Sequence, residues 1–237
     1  MSNGIEKALN EIKEAAGLIY AHGWGEAFAG NISLRLESST GCSKSHYTEL
    51  PDRFENLSEK TIVITASGSR MRQIASINTE DYCSVITINE TGTGYYKTNN
   101  FDKEPSSELT THLMLQNYFA KKNSDFKAVL HCHPDEIITL LHLADFKTSE
   151  SVNKMLFSIH TEAELILPEG AGLVGLKKPG SYEFASAVFN ELKKRQIVLL
   201  EKHGCFSVGK DLNDALDKVE FVNKATKIFL GMKMLKV

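Results

Sequence analysis

The chain has 237 residues, 42 % of them hydrophobic and 24 % charged, with a formal net charge of −3 at pH 7. These values fit a folded globular protein, and they leave no basic field to hold nucleic acid or an anionic membrane. The N-terminus lacks the pattern of a secretory leader, no run approaches the ~18 apolar residues of a membrane span, and the scattered Cys42, Cys83, Cys132 and Cys205 form no C-x-x-C pair. A cytoplasmic protein with reduced thiols and neither a nucleic-acid nor a membrane partner is expected.

Ile5, Leu9, Ile12, Ala16 and Ile19 recur at helical spacing and Gly23 follows, which predicts a helix over about residues 4–22. A glycine-dotted loop leads into Ile32-Ser33-Leu34-Arg35-Leu36, whose alternation is that of a half-buried strand. Residues 37–60, rich in Ser, Thr and charge and containing Pro51, read as a long surface loop. Thr61–Thr65 reads as a buried strand running into Ala66-Ser67-Gly68-Ser69. Further strands are expected at 84–89, 95–98, 128–131, 165–167, 197–200 and 206–208, and helices at about 106–121, 134–144, 181–194 and 212–235. The early strands follow one another without intervening helices, which argues against a doubly wound dinucleotide fold. Nothing in the sequence reads as an internal repeat or a linker, so residues 1–237 read as one α/β domain with α/β/α layering.

The strongest chemical signal is Ala128-Val129-Leu130-His131-Cys132-His133-Pro134. Residues two apart on a strand share a face, so His131 and His133 can converge on one cation, while Cys132 turns toward the core. His203, at the end of the strand-like stretch through Leu200 and followed by Gly204, offers a third imidazole. Three histidines with an open position are the donor set of a catalytic zinc site, whereas structural zinc takes four protein ligands rich in cysteine. By itself an H-x-H pair also occurs in strands where one ring packs and the other is solvated.

Pro105-Ser106-Ser107-Glu108 reads as a helix start with a serine cap, and such an N-terminus is also suited to a phosphate. His112 lies one turn beyond Glu108 and reads as a packing or supporting histidine. Thr65-Ala66-Ser67-Gly68 and Ala29-Gly30-Asn31 are turns whose backbone N–H groups and small polar side chains could approach an anion.

Taken in order, Gly23-Trp24, Gly30-Asn31, Thr65-Ala66-Ser67-Gly68, Pro105-Ser106-Ser107-Glu108-Leu109 with His112, His131-Cys132-His133, Leu167–Gly172, Pro179-Gly180 and Glu201–Phe206 resemble the class II aldolase and adducin-head family over about residues 8–230. The resemblance implies a central, mostly antiparallel sheet of nine or so strands between helical layers, and a homotetramer with active sites at subunit interfaces. It implies Zn2+, or another divalent transition metal, on His131, His133 and His203. It further implies phosphate contacts from Gly30, Asn31, Ser67, Gly68 and Ser107, Glu108 as the acid/base residue, and Glu162 as a second acidic catalytic position. The implied partner is a small sugar phosphate, and the implied reaction is retro-aldol cleavage of a ketose 1-phosphate of the rhamnulose 1-phosphate kind to dihydroxyacetone phosphate and an aldehyde such as lactaldehyde. Pentulose-phosphate 4-epimerisation and dehydration are the alternatives on the same scaffold, and a non-catalytic adducin-like module is the third. Phe28 and Ser69 depart from the ketose-phosphate pattern, which has an amide and a lysine at those places.

Overall fold

The structure, a computed structural model, describes residues 3–37, 44–76, 78–98, 101 and 103–235. Its first half runs α1 (Asn3–Ala21), β1 (Asn31–Leu36), β2 (Lys44–Glu49), β3 (Thr61–Thr65), α2 (Met71–Ile74), β4 (Cys83–Ile88), β5 (Gly94–Thr98) and α3 (Leu109–Lys121). The second half runs β6 (Ala128–Cys132), α4 (Asp135–His142), α5 (Ser149–Ile159), α6 (Ala163–Ile166), β7 (Gly172–Val174), α7 (Tyr182–Leu192), β8 (Ile197–Leu200), β9 (Gly204–Gly209) and α8 (Leu212–Leu235).

The strands form one nine-stranded sheet in the order β2-β5-β4-β3-β1-β6-β9-β8-β7, antiparallel throughout except where β7 pairs with β8. Alternation along β6 sorts its side chains between two helical layers. Ala128, Leu130 and Cys132 join the core shared with α1, α4, α5 and α8, whereas Val129 packs with Leu115 of α3 and Val188 of α7. The chain is therefore the α/β/α-layered domain expected, and His131 falls on the α3/α7 side of the sheet.

The predicted apolar stripe of α1 is buried at Ile5, Leu9, Ile12, Ala16 and Ile19, and Gly23 at φ +78° turns the chain out of the helix. Ser181 caps α7 and Thr148 caps α5, each side-chain oxygen accepting from a backbone N–H three residues on.

Four expectations need correction. The supposed loop 37–60 contains β2, an edge strand whose residues 46–49 are mostly exposed, so burial imposes no alternation for a sequence pattern to reveal. The supposed strand 165–167 lies within and just after the helical turn α6, where Leu165 and Ile166 both donate backbone N–H groups to Glu162 O and Leu165 faces solvent. Helix α3 starts at Leu109, not at 106, leaving Glu108 in the N-cap position with its carboxylate outside the helix. Helix α5 has no counterpart among the expected elements, and Cys42 lies outside the described residues.

Candidate metal centre and active site

Strand pairing assembles the centre. Asn31 on β1 lies opposite His131 on β6, and Cys132 lies opposite Cys205 on β9, so the ends of three adjacent strands meet at one place. His133 follows directly and is tied down by its backbone N–H to Trp24 O at 2.8 Å. His203 arrives from the β8–β9 turn, in which Lys202 adopts φ +60°. Gly204 is required there: a Cβ would stand 2.2 Å from Cys132 O and 2.9 Å from His133 Cα, and its φ is +110°. Gly30, at φ +82°, allows the same close approach on the other side, where a Cβ would meet His131 O at 2.8 Å.

The three imidazoles predicted as ligands come together, with one ring nitrogen of each lying within 4.8 Å of the others. Ring centroids are separated by 4.7 to 5.0 Å. His131 is stacked on Phe206 at 4.3 Å, which fixes its plane. Its Nδ1 is 2.9 Å from Cys205 O, and His133 Nδ1 is 3.0 Å from Glu26 Oε1, so both Nδ1 atoms are donors. The neutral rings then carry lone pairs on Nε2, and these two atoms are only 3.2 Å apart. Facing lone pairs repel unless a positive charge lies between them. Two nitrogens on a tetrahedral zinc at ~2.05 Å stand roughly 3.3 Å apart, so the observed spacing fits the ion. His203 Nδ1 is buried without a hydrogen-bond partner among the described residues.

Burial and the neighbouring His133 and His203 hold His131 well below the ordinary imidazole range, and burial with His133 lowers His203 to about 4. Both are thus neutral at pH 7 and available as ligands. Glu26, which sequence reasoning passed over, orients His133 in the way carboxylates commonly orient metal-bound histidines. No motif in the loop before Gly30 singles it out.

Glu108 reaches the same point from the start of α3. Its Oε2 lies 3.6 Å from His131 Nε2 and accepts from Asn31 Nδ2 at 2.7 Å, whereas its buried Oε1 has no hydrogen-bond partner among the described residues. Burial pushes the carboxyl up from its usual range, against the opposing pull of the Asn31 amide and the Gly180 backbone. A carboxyl so placed keeps its proton to higher pH than a solvated one.

These groups line a cavity of about 340 Å³ that includes Gly30, Asn31, Ser107, Glu108, His131, His133 and His203. An alcove of about 300 Å³ adjoins it, lined by Ser67, Gly68, Ser69, Ser106 and Ser107, and shares Phe28, Gly30, Asn31 and Ser107 with it. Every predicted site residue except Glu162 therefore borders one continuous region. Glu162 is exposed at the start of α6 and lines neither cavity. A larger hollow of about 820 Å³ lies against α8 beside His22 and Trp24, but none of the predicted residues borders it.

A nine-stranded sheet carrying a three-histidine, one-glutamate pocket at its strand ends defines a metal-dependent enzyme scaffold. The Class II Aldolase and Adducin N-terminal domain family matches residues 10–230, and the chain belongs to that family. It is a lyase, a class II aldolase. The rhamnulose-1-phosphate aldolase of Bacteroides thetaiotaomicron is 32 % identical over 246 residues, covering 97 % of this chain and 87 % of that protein. The protein of the same name from Mannheimia succiniciproducens is 27 % identical, covering 90 % and 81 %. The crystal structure of a sugar-phosphate aldolase from Thermotoga maritima is 31 % identical and superposes with a TM-score of 0.87 over 98 % of this chain and 97 % of that one. L-fuculose-1-phosphate aldolase from Thermus thermophilus shares the fold at 19 % identity and a TM-score of 0.65, covering 98 % and 96 %.

Proposed function

We propose that this aldolase cleaves a ketose 1-phosphate, rhamnulose 1-phosphate or a close relative, to dihydroxyacetone phosphate and an aldehyde such as lactaldehyde. The observation that carries this reading is the shared wall: Gly30, Asn31 and Ser107 border both the histidine pocket and the serine–glycine alcove. One substrate can thus place its phosphate in the alcove and its reacting carbons beside Glu108. The names of the similar proteins support the same substrate class.

In this reading the hydroxyls of Ser67 and Ser107, the backbone at Gly30 and Gly68 and the amide of Asn31 hold the phosphate through neutral donors. A divalent ion, zinc by the donor set, would be held by His131, His133 and His203 and would supply a Lewis acid for negative charge developing on the oxygens next to the breaking bond. The C3–C4 bond breaks with its electron pair remaining on the C3 side. The C4 hydroxyl passes its proton to water as the aldehyde forms, Glu108 delivers its own proton to C3, and the Glu108 carboxylate then recovers a proton from solvent. Burial of Glu108 favours its protonated form and so suits that delivery.

We place the enzyme in the cytosol as a homotetramer, in which the exposed Glu162 of one subunit serves the pocket of a neighbour. The exposure of Glu162 and of the adjacent Leu165, 82 % accessible, supports an interface there. A steady-state assay with rhamnulose 1-phosphate, with and without a chelator, tests the activity. Chelator-sensitive release of dihydroxyacetone phosphate is expected; zinc-loaded protein that cleaves no ketose phosphate would contradict it.

A further inference from the structure

Beneath the active site, the polar side of β1 is not solvated. Asn31, Ser33 and Arg35, alternate residues of the strand, are 7 %, 0 % and 3 % exposed, and α3 covers them with His112 and Gln116, one helical turn apart and each 0 % exposed. Five buried polar side chains in a row are costly unless each is paired, and they are paired in sequence.

The polarity of this row follows from its far end, where the groups have fixed character. The Arg35 guanidinium can only donate, and its Nη1 lies 3.0 Å from Gln116 O and 3.3 Å from Gln116 Oε1. The Lys127 carbonyl can only accept, and Gln116 Nε2 lies 2.8 Å from it. The Gln116 amide is thereby locked from both sides, and its Nε2 also donates to Ser33 Oγ at 3.3 Å. The Ser33 hydroxyl then donates to His112 Nδ1 at 2.7 Å. An imidazole accepting at Nδ1 carries its proton on Nε2, which faces Asn31 Oδ1 at 2.6 Å. With its carbonyl engaged, Asn31 turns its NH2 group to Glu108 Oε2 at 2.7 Å.

The reversed assignment would put the His112 proton on Nδ1, against a hydroxyl whose own hydrogen then has no acceptor among the described residues. It would also turn the Asn31 carbonyl toward the Glu108 carboxylate. Burial lowers His112 to about 3, so the ring is neutral and has one donor and one acceptor, as the row requires.

We propose that Arg35, Gln116, Ser33 and His112 are positioning residues for the aldol cleavage: they form a one-way chain of donors that fixes the Asn31 amide with its NH2 toward Glu108 and the anion alcove. None of the four borders the reacting pocket; they act through Asn31 and Glu108. The proposal rests on the reading of Glu108 as the proton carrier.

The test uses the zinc-loaded enzyme and two readouts. In nitrogen-15 spectra of histidine-labelled protein, His112 is expected as the Nε2–H tautomer, and Ser33→Ala is expected to move its Nδ1 resonance, because that lone pair loses the hydroxyl that donates to it. An Nδ1–H tautomer in the wild type overturns the proposal whether or not the enzyme cleaves rhamnulose 1-phosphate. In steady-state kinetics, Ser33→Ala and the volume-conserving Gln116→Met should each lower kcat about tenfold or more, as loss of supporting hydrogen bonds does at metal sites. Zinc content should stay at the wild-type level, KM should change less than kcat, and Ser33→Thr, which restores the hydroxyl, should recover most of the loss. A kcat within twofold of wild type in both Ser33→Ala and Gln116→Met would reduce the row to packing. A wild-type enzyme without ketose cleavage would sink the aldolase reading alone, leaving the tautomer to decide the chain.

Discussion

In the histidine pocket, side chains are fixed by strand register, by the stacking of His131 on Phe206 and by buried hydrogen bonds. In the alcove next to it, Ser67, Gly68 and Ser107 are exposed and sit on turns, and Phe28 at its mouth is 68 % accessible. The pocket has little freedom to change without disturbing the sheet, whereas the alcove can vary by loop substitutions. On the proposed reading, the difference separates a charge-stabilising centre with its proton carrier from the part that selects a substrate.

The largest effects are expected inside the pocket. Glu108→Gln keeps the shape and the Asn31 contact but removes the transferable proton, so kcat should fall by about 10²–10⁴ with zinc retained, measured by steady-state kinetics and elemental analysis. An activity within tenfold of wild type would move the proton chemistry to another group. Gly204→Ala forces a Cβ into Cys132 O and a strained φ, so thermal unfolding should show a loss of about 2–4 kcal/mol together with weaker zinc binding.

Acid stability probes the same buried region. His112 titrates at about 3 in the folded chain and near ~6.5 when unfolded, so below that value the unfolded state binds a proton that the fold refuses. Stability is full above about pH 6.5 and is lost progressively as pH falls toward 3, by a few kcal/mol from this group, with His131 and His203 acting in the same direction. Denaturant unfolding of the metal-free protein across that range is the measurement. The smallest effect belongs to the alcove: Ser67→Ala should raise KM roughly three- to tenfold while leaving kcat and zinc affinity near wild type.

The legibility of the sequence divides along the same line. His131 and His133 were readable because a strand places alternate residues on one face, and His203 because it ends another apolar strand before a glycine. The edge strand β2 was hidden because an exposed edge imposes no hydrophobic period on residues such as His46 and Tyr47. The chain through Ser33 and Arg35 was hidden for a different reason. Alternation on β1 suggested one solvated face, but α3 covers that face, and the only sequence sign was His112 and Gln116 four residues apart on the helix. Glu162 was readable only through the resemblance, and within the chain it is exposed and borders neither cavity.

Three imidazoles from two strand ends are proposed to hold one cation. Calorimetric titration of metal-free protein with zinc tests this most directly. One tight zinc per chain is expected in the wild type, with that binding lost in His203→Ala; tight binding of equal strength in the His203→Ala variant would mean that the three rings do not share an ion.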